Sequence, residues 1–410
     1  DGVLLYAVHD PYGGPDGLKR FVDAAHARGL GVFLDVVYNH FGPSGNPLDR
    51  FGPYTTDRHQ TPWGGAVNLD APENGPVRRF IIDNARCWIR DYHVDGLRLD
   101  AVHALVDDSE RHLVAELSEE IDALATQLHR FVPVVAEYPE TEPVAITARE
   151  AGGHGLDAEW RDEVHHALHA ALTGERDGYY ARYGSLAAIS DAMVGPKEEV
   201  PRHRFVVCAQ NHDQVGNRAK GDRLVHLVGD PDAKVAAALV LCGPFVPLLF
   251  MGEEWAASSP FPYFAGPRDE SLDDAVRRGR RDEFATFGWD PSDIPDPIAE
   301  ATFASAKLRW HEIDDDEHAA MVSWYRRLLT LRHDRPELSD PRPGSVTVEV
   351  DEAAHTLVMR RGPTAVAANL SDAPTEIAAT GAVLLASGDG VTAKGGDHVI
   401  VPPHSVAIVG

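Results

Sequence analysis

The sequence predicts an α/β chain of parallel strands alternating with helices, followed by a small all-β sandwich. Three observations predict it. Segments of helical and of strand-like character alternate through residues 1–340, polar residues gather where the strand-like segments finish, and from about Pro341 helical period gives way to short alternating strands. A chain of 410 residues has room for one large domain and one small one.

Taken in order, "PDGLKRFVDAAHARGL" carries Leu18, Phe21, Val22 and Ala25 at helical spacing, and Gly29 supplies a stop. The β-branched and aromatic run "GVFLDVVYNH" follows as a strand. Residues 41–75 are rich in Gly, Pro, Asn and Asp, and a loop of that length inside a domain reads as functional or as a small subdomain. The cycle then repeats: helix "VRRFIIDNARCWIRDY", strand "VDGLRLD", helix "SERHLVAELSEEIDALATQLH", strand "PVVAE". Gly155 to Trp160, Arg204 to Gln210 and Phe245 to Met251 complete six strands, with helices such as "DAKVAAALVLC" between them. Alternation of this kind implies parallel strands with helices outside. After the helix "MVSWYRRLLTLRHDRPEL", the segments "SVTVEV", "TLVMRR", "AVAANL" and "HVIVPPHSVAIVG" are separated by Gly and Pro turns. Residues 341–410 therefore read as a β-sandwich domain.

Composition narrows the function classes. The formal net charge is -26, from 64 acidic and 38 basic residues, and such a surface repels phosphate backbones and anionic lipid. Nucleic acid and membrane are thereby poor partners. Cys87, Cys208 and Cys242 are odd in number and widely separated, so neither a disulfide framework nor a CxxC metal site is expected. They read as core thiols of a reducing compartment, the cytoplasm. No apolar run reaches membrane-spanning length.

Ionisable residues mark the strand ends: Asp35, Asn39 and His40; Arg98, Asp100 and His103; Glu137; Asn211, His212 and Asp213. Arg98 and Asp100 are two residues apart, so they share one face of their strand while Leu97 and Leu99 take the other. Each residue alone has a plain structural reading. Asp35 and His40 suit turns, Arg98 with Asp100 suits an ion pair, Glu137 suits a solvated loop and Asp213 a helix cap. Together, three carboxylates with Arg and His at the ends of successive parallel strands point to one pocket, because those ends open on a common face. "HHALH" (His165 to His169) lacks the Glu of a HExxH motif and reads as a helix face.

In this order and spacing, "DVVYNH", "DGLRLDAVH", "VVAE" and "QNHDQ" resemble the four motif regions of the α-amylase clan of glycoside hydrolases. "GLDAEWRDEVHHALHAALTGE", "AQNHDQVGNRAKGDRL" and "GRRDEFATFGWDPSDIPDPIAEATFASAKLRW" resemble the maltooligosyltrehalose trehalohydrolases, a likeness covering nearly the whole chain. The resemblance implies a (β/α)8 TIM barrel and retaining hydrolysis of the α-1,4 bond next to a terminal trehalose. It implies Asp100 as nucleophile, Glu137 as acid/base and Asp213 as the third carboxylate, which grips sugar hydroxyls. His40 and His212 would donate to the same ring, with Asn211 and His103 beside them, while Asp35 and Asn39 hold the strand end in shape. Arg98 would keep Asp100 ionised, and the apolar strand before Glu137 would favour its protonated form by desolvation.

Trp63, Trp160, Trp255 and Phe245 are candidates for stacking on sugar faces, each also explicable as core. No cofactor and no metal are expected: the clan often places calcium beside the long loop, but this loop is short of carboxylates at matching positions. The implied partners are maltooligosyl trehalose and related α-1,4-glucans, delivered by a maltooligosyl trehalose synthase acting upstream. Six strands stand where the clan's barrel has eight, and the chain opens on Asp1, so a barrel lacking its first two strands and a preceding β domain is expected. Tyr138 and Pro139 depart from the more polar residues usual in trehalohydrolases. Two alternatives share the motifs, an α-1,4-glucan branching enzyme and an inactive glucan-binding fragment.

Overall fold

Each of the six segments read as parallel strands forms one in the computed structural model, which describes residues 4–42, 46–61, 64–138, 143–196, 200–266, 270–285, 289 and 294–410. The chain divides into two units, Asp1–Arg161 and Asp162–Gly410. In the first unit α1 (Gly14–His26) leads into β1 (Phe33–Val36), and a hairpin of β2 (Thr55–Thr61) and β3 (Gly64–Val67) occupies the long segment. Then come α2 (Asn74–Asp91), β4 (Gly96–Leu99), α3 (Leu113–Leu128), β5 (Val134–Ala136) and β6 (Ala158–Trp160). The four strands β1, β4, β5 and β6 lie side by side, all parallel.

Helical period decides what α2 and α3 bury. Val77, Ile81, Ala85, Trp88 and Ile89 of α2, and Leu113, Leu117, Ile121 and Leu124 of α3, join one apolar cluster with Leu97 and Leu99 of β4. That leaves the opposite face of β4 to Arg98, whose Cα partners are Asp35 of β1 and Val135 of β5. Gly96 opens this strand because nothing larger fits. A Cβ there would lie 2.5 Å from the Phe33 ring and 2.6 Å from the Pro133 carbonyl.

The second unit holds α4 (Glu163–Thr173), α5 (Leu186–Val194), β7 (Phe205–Cys208), α6 (His212–Gly216), α7 (Leu224–Cys242) and β8 (Val246–Leu248), with β7 and β8 parallel. Gly229 takes a non-helical conformation just before Pro231, so α7 is kinked there. α8 (Glu270–Ala285), α9 (Glu300–Ser305) and α10 (Asp316–Asp334) precede the all-β segment. Its strands are β9 (Thr347–Asp351), β10 (Thr356–Arg361), β11 (Thr364–Asn369), β12 (Thr375–Ala378), β13 (Val383–Ala386), β14 (Thr392–Lys394), β15 (His398–Val401) and β16 (Ser405–Val409). They form antiparallel sheets ordered β13-β16-β11-β10-β9 and β12-β15-β14. Val358, Ala367, Ala407 and Val409 from one sheet share a core with Ile377, Val399 and Val401 from the other, which is the packing of a sandwich. Among the described residues no helix is long and apolar enough to cross a membrane.

Candidate active site

Arg98 organises the first unit's polar end. Its guanidinium is buried, and Nη1 donates to Asp35 Oδ1 at 2.8 Å and to Asp100 Oδ1 at 2.7 Å. Nη2 lies 2.9 Å from Glu137 Oε2, and the Trp160 ring covers the cation at 4.3 Å. One cation thus joins carboxylates from the ends of β1, β4 and β5, beneath an aromatic from β6. Burial opposes the charge on Arg98, but Glu137, Asp35 and Asp100 outweigh it and raise the pKa.

Backbone hydrogen bonds fix the two carboxylates relative to each other. Asp100 N donates to Val36 O at 3.0 Å, and Glu137 N to Leu99 O at 2.9 Å. Ala101 holds a left-handed conformation, φ 39°, which costs a non-glycine residue about 1 kcal/mol. In that conformation its N–H donates to Glu137 Oε2 at 2.7 Å. Val102 N meanwhile donates to Glu137 O at 3.0 Å. Asp100 and Glu137 therefore converge across the span of a single guanidinium. Asn39 completes the group: Nδ2 donates to Asp100 O at 2.8 Å and to Asp100 Oδ2 at 2.9 Å, while its Oδ1 contacts His40 Nδ1 closely. Burial lowers the His40 pKa against the pull of Asp100 and so favours the neutral ring.

Several expectations change here. Glu137 was expected in an apolar setting, yet it sits beside Arg98 and the Ala101 N–H, both of which favour the carboxylate. The apolar side chains of β5 face the core, and the strand's tip alone reaches the site. Asn39 touches Asp100 itself besides supporting the strand end, and Asp35 supports it through Arg98. Trp160 is half-buried and has a face on Arg98. His103 is exposed on the 3-10 turn Val102–Ala104. Trp63 and Pro139 lie outside the described residues.

In the second unit Asn211 is a helix cap. It is 3% exposed, and its Oδ1 accepts from Asp213 N at 2.8 Å and Gln214 N at 3.4 Å. Its carbonyl is thus committed to α6, and the cap role open to Asp213 belongs to Asn211. The cap projects His212 and Asp213, with side chains 43% and 46% exposed and Nε2 3.5 Å from Oδ1. Trp255 is 2% exposed against Trp310, ring centroids 5.1 Å apart, and Phe245 is buried on Phe205. Both are core, so neither can stack on a sugar. His165 bonds Ala209 O and Tyr180 Oη, and His169 bonds Glu175, as a buried helix face requires.

Among the described residues one set of side chains could hold a metal: His59, Asp70 and Asp108. It includes an imidazole and so does not fit the all-oxygen shell that calcium prefers. Sequence reasoning missed the Ala101 N–H, a main-chain group with no residue signature, and undervalued Asn39.

A family model described as a domain of unknown function, DUF3459, matches residues 341–408. The malto-oligosyltrehalose trehalohydrolase of Arthrobacter ramosus is 47% identical over 99% of this chain and 73% of its own length. A crystal structure of a Salmonella typhimurium protein assigned to the α-amylases is 35% identical, with a TM-score of 0.87 over all of this chain and 72% of that one. The 1,4-α-glucan branching enzyme of Pseudoalteromonas atlantica is 26% identical over 82% of this chain and 43% of its own. With its α-amylase-like fold and identity sustained over nearly its full length, the chain belongs to the malto-oligosyltrehalose trehalohydrolase family of glycosidases.

Proposed function

We propose that this glycosidase cleaves the α-1,4-glucosidic bond next to the terminal trehalose of maltooligosyl trehalose, with retention of configuration. The observation that carries the reading is the pair Asp100 and Glu137, held together by Arg98 and the Ala101 N–H. Retaining glycosidases keep two carboxyls about 5 Å apart, close enough for direct attack. Asp100 attacks the anomeric carbon and forms a glycosyl ester, while Glu137 protonates the oxygen of the departing trehalose. Glu137 Oε2 already accepts from Ala101 N, so the transferable proton belongs on Oε1. Esterification removes the negative charge of Asp100, and Arg98 is then shared between Asp35 and Glu137 alone. That change favours the ionised Glu137 needed to deprotonate the incoming water.

Asp213, His212 and His40 are assigned to sugar hydroxyls through the family's motifs. The substrate is supplied by a maltooligosyl trehalose synthase, and the reaction belongs in the cytoplasm, a reading supported by three free thiols at Cys87, Cys208 and Cys242. Residues 341–410 are a β-domain of their own, as the 341–408 match supports.

The test is incubation with maltooligosyl trehalose and quantification of free trehalose. Asp100→Asn and Glu137→Gln are each expected to lower the rate by more than about a hundredfold. New branches in amylose without trehalose release, or substantial hydrolysis by Asp100→Asn, would overturn the proposal.

A further inference from the structure

His59 on β2, Asp70 beyond β3 and Asp108 in the turn before α3 are far apart in sequence, yet their ligand atoms all lie within 4.8 Å of one another. His59 Nε2 is 2.8 Å from Asp70 Oδ2 and 3.8 Å from Asp108 Oδ2. Asp70 Oδ2 also accepts from Asp108 N at 3.0 Å. The second oxygen, Oδ1, is buried on a side chain only 2% exposed and has no hydrogen-bond partner among the described residues. Among the described residues Arg58 is the arginine at this cluster; its firm bond is Nη1 to Asp70 O at 3.1 Å. Its nitrogens stay 3.7 Å from Asp70 Oδ1 and 3.5 Å from Asp108 Oδ2, outside hydrogen-bond range. Two carboxylates, one guanidinium and one imidazole thus surround a buried oxygen that lacks a hydrogen-bond donor.

We infer that His59, Asp70 and Asp108 form a binding site for a divalent transition-metal cation of the zinc class. An imidazole with two carboxylates suits that class, whereas calcium takes oxygen ligands and magnesium demands octahedral oxygen. Three protein ligands leave a fourth position for water. Coordination uses His59 Nε2 as a lone-pair donor, so the metal-bound ring is neutral and carries its single proton on Nδ1. Asp35, Asp100 and Glu137 take no part. The cation fastens the β2–β3 hairpin to the turn that leads from β4 into α3.

The full chain is stripped with a chelator, dialysed and titrated calorimetrically with Zn2+ alone. One saturable equivalent is expected, weakened at least about tenfold by Asp108→Asn and by His59→Gln. Asp108 is 62% exposed, so its variant keeps the fold, which circular dichroism verifies. The absence of saturable binding, or binding unchanged in both variants and so due to other histidines among the chain's 21, overturns the inference. Saturation by Ca2+ in place of Zn2+ overturns the assigned class.

Discussion

Arg98→Met keeps the apolar stem and most of the volume of a buried side chain and deletes its charge. Three carboxylates then lose the cation that Nη1 and Nη2 bring within 2.9 Å of each. Removing one partner of a buried ion pair costs about 3–5 kcal/mol. The partners here are not fully buried, with side-chain exposures of 53% for Asp35, 26% for Asp100 and 20% for Glu137. Solvent screening therefore puts the expected loss at the low end, about 3 kcal/mol, including the stacking on Trp160. The loss is largest at neutral pH and shrinks on acidification, because protonating any of the three relieves their repulsion. Arg98→Lys separates charge from shape: one ammonium cannot reproduce a planar fork reaching three carboxylates, so its loss is intermediate. Urea denaturation at neutral and acidic pH measures all three proteins. An Arg98→Met chain within about 1 kcal/mol of the parent at neutral pH, or a Lys variant equal to the parent, would refute the reasoning.

Asn39→Ala removes two donated hydrogen bonds from Asp100, one of them to its carboxylate. At about 1.5–3 kcal/mol for a bond to a charged group, kcat/KM for trehalose release is expected to fall roughly tenfold to a hundredfold. His404 bridges Asp372 at 3.1 Å and Asp232 at 3.0 Å, and the hydrogen bond it donates to Asp372 leads those that raise its pKa. Burial raises Asp232 against the pull of His404, so both groups bind protons more tightly when folded. Their stabilisation is complete below the unfolded values, and the His404 part is lost as pH rises through its raised folded pKa. His404→Gln should therefore lower Tm at about pH 5.5 and leave it nearly unchanged at about pH 9, as thermal melts at the two pH values will test.

The strands were legible because apolar runs of strand length alternate with helical period, as in "VDGLRLD" before "HLVAELSEEIDAL". The convergence of Arg98 with Asp100 followed from a two-residue spacing. What surrounds Glu137 depended on where neighbouring strand ends meet, which no local pattern encodes. The hairpin strand "TTDRHQT" is polar throughout and read as loop. Trp255 and Trp160 look alike in sequence, yet one is packed on Trp310 and the other lies on a guanidinium, a difference of tertiary position alone. Asn211 presented two polar functions, and the free N–H groups of α6 claimed its oxygen.

The left-handed turn at Ala101 makes the peptide after Asp100 a ruler for Glu137. One oxygen of the Glu137 carboxylate is thereby tied to the main chain that carries Asp100. Side chains around the two carboxylates can then be exchanged while that tie, made by a backbone N–H, stays in place.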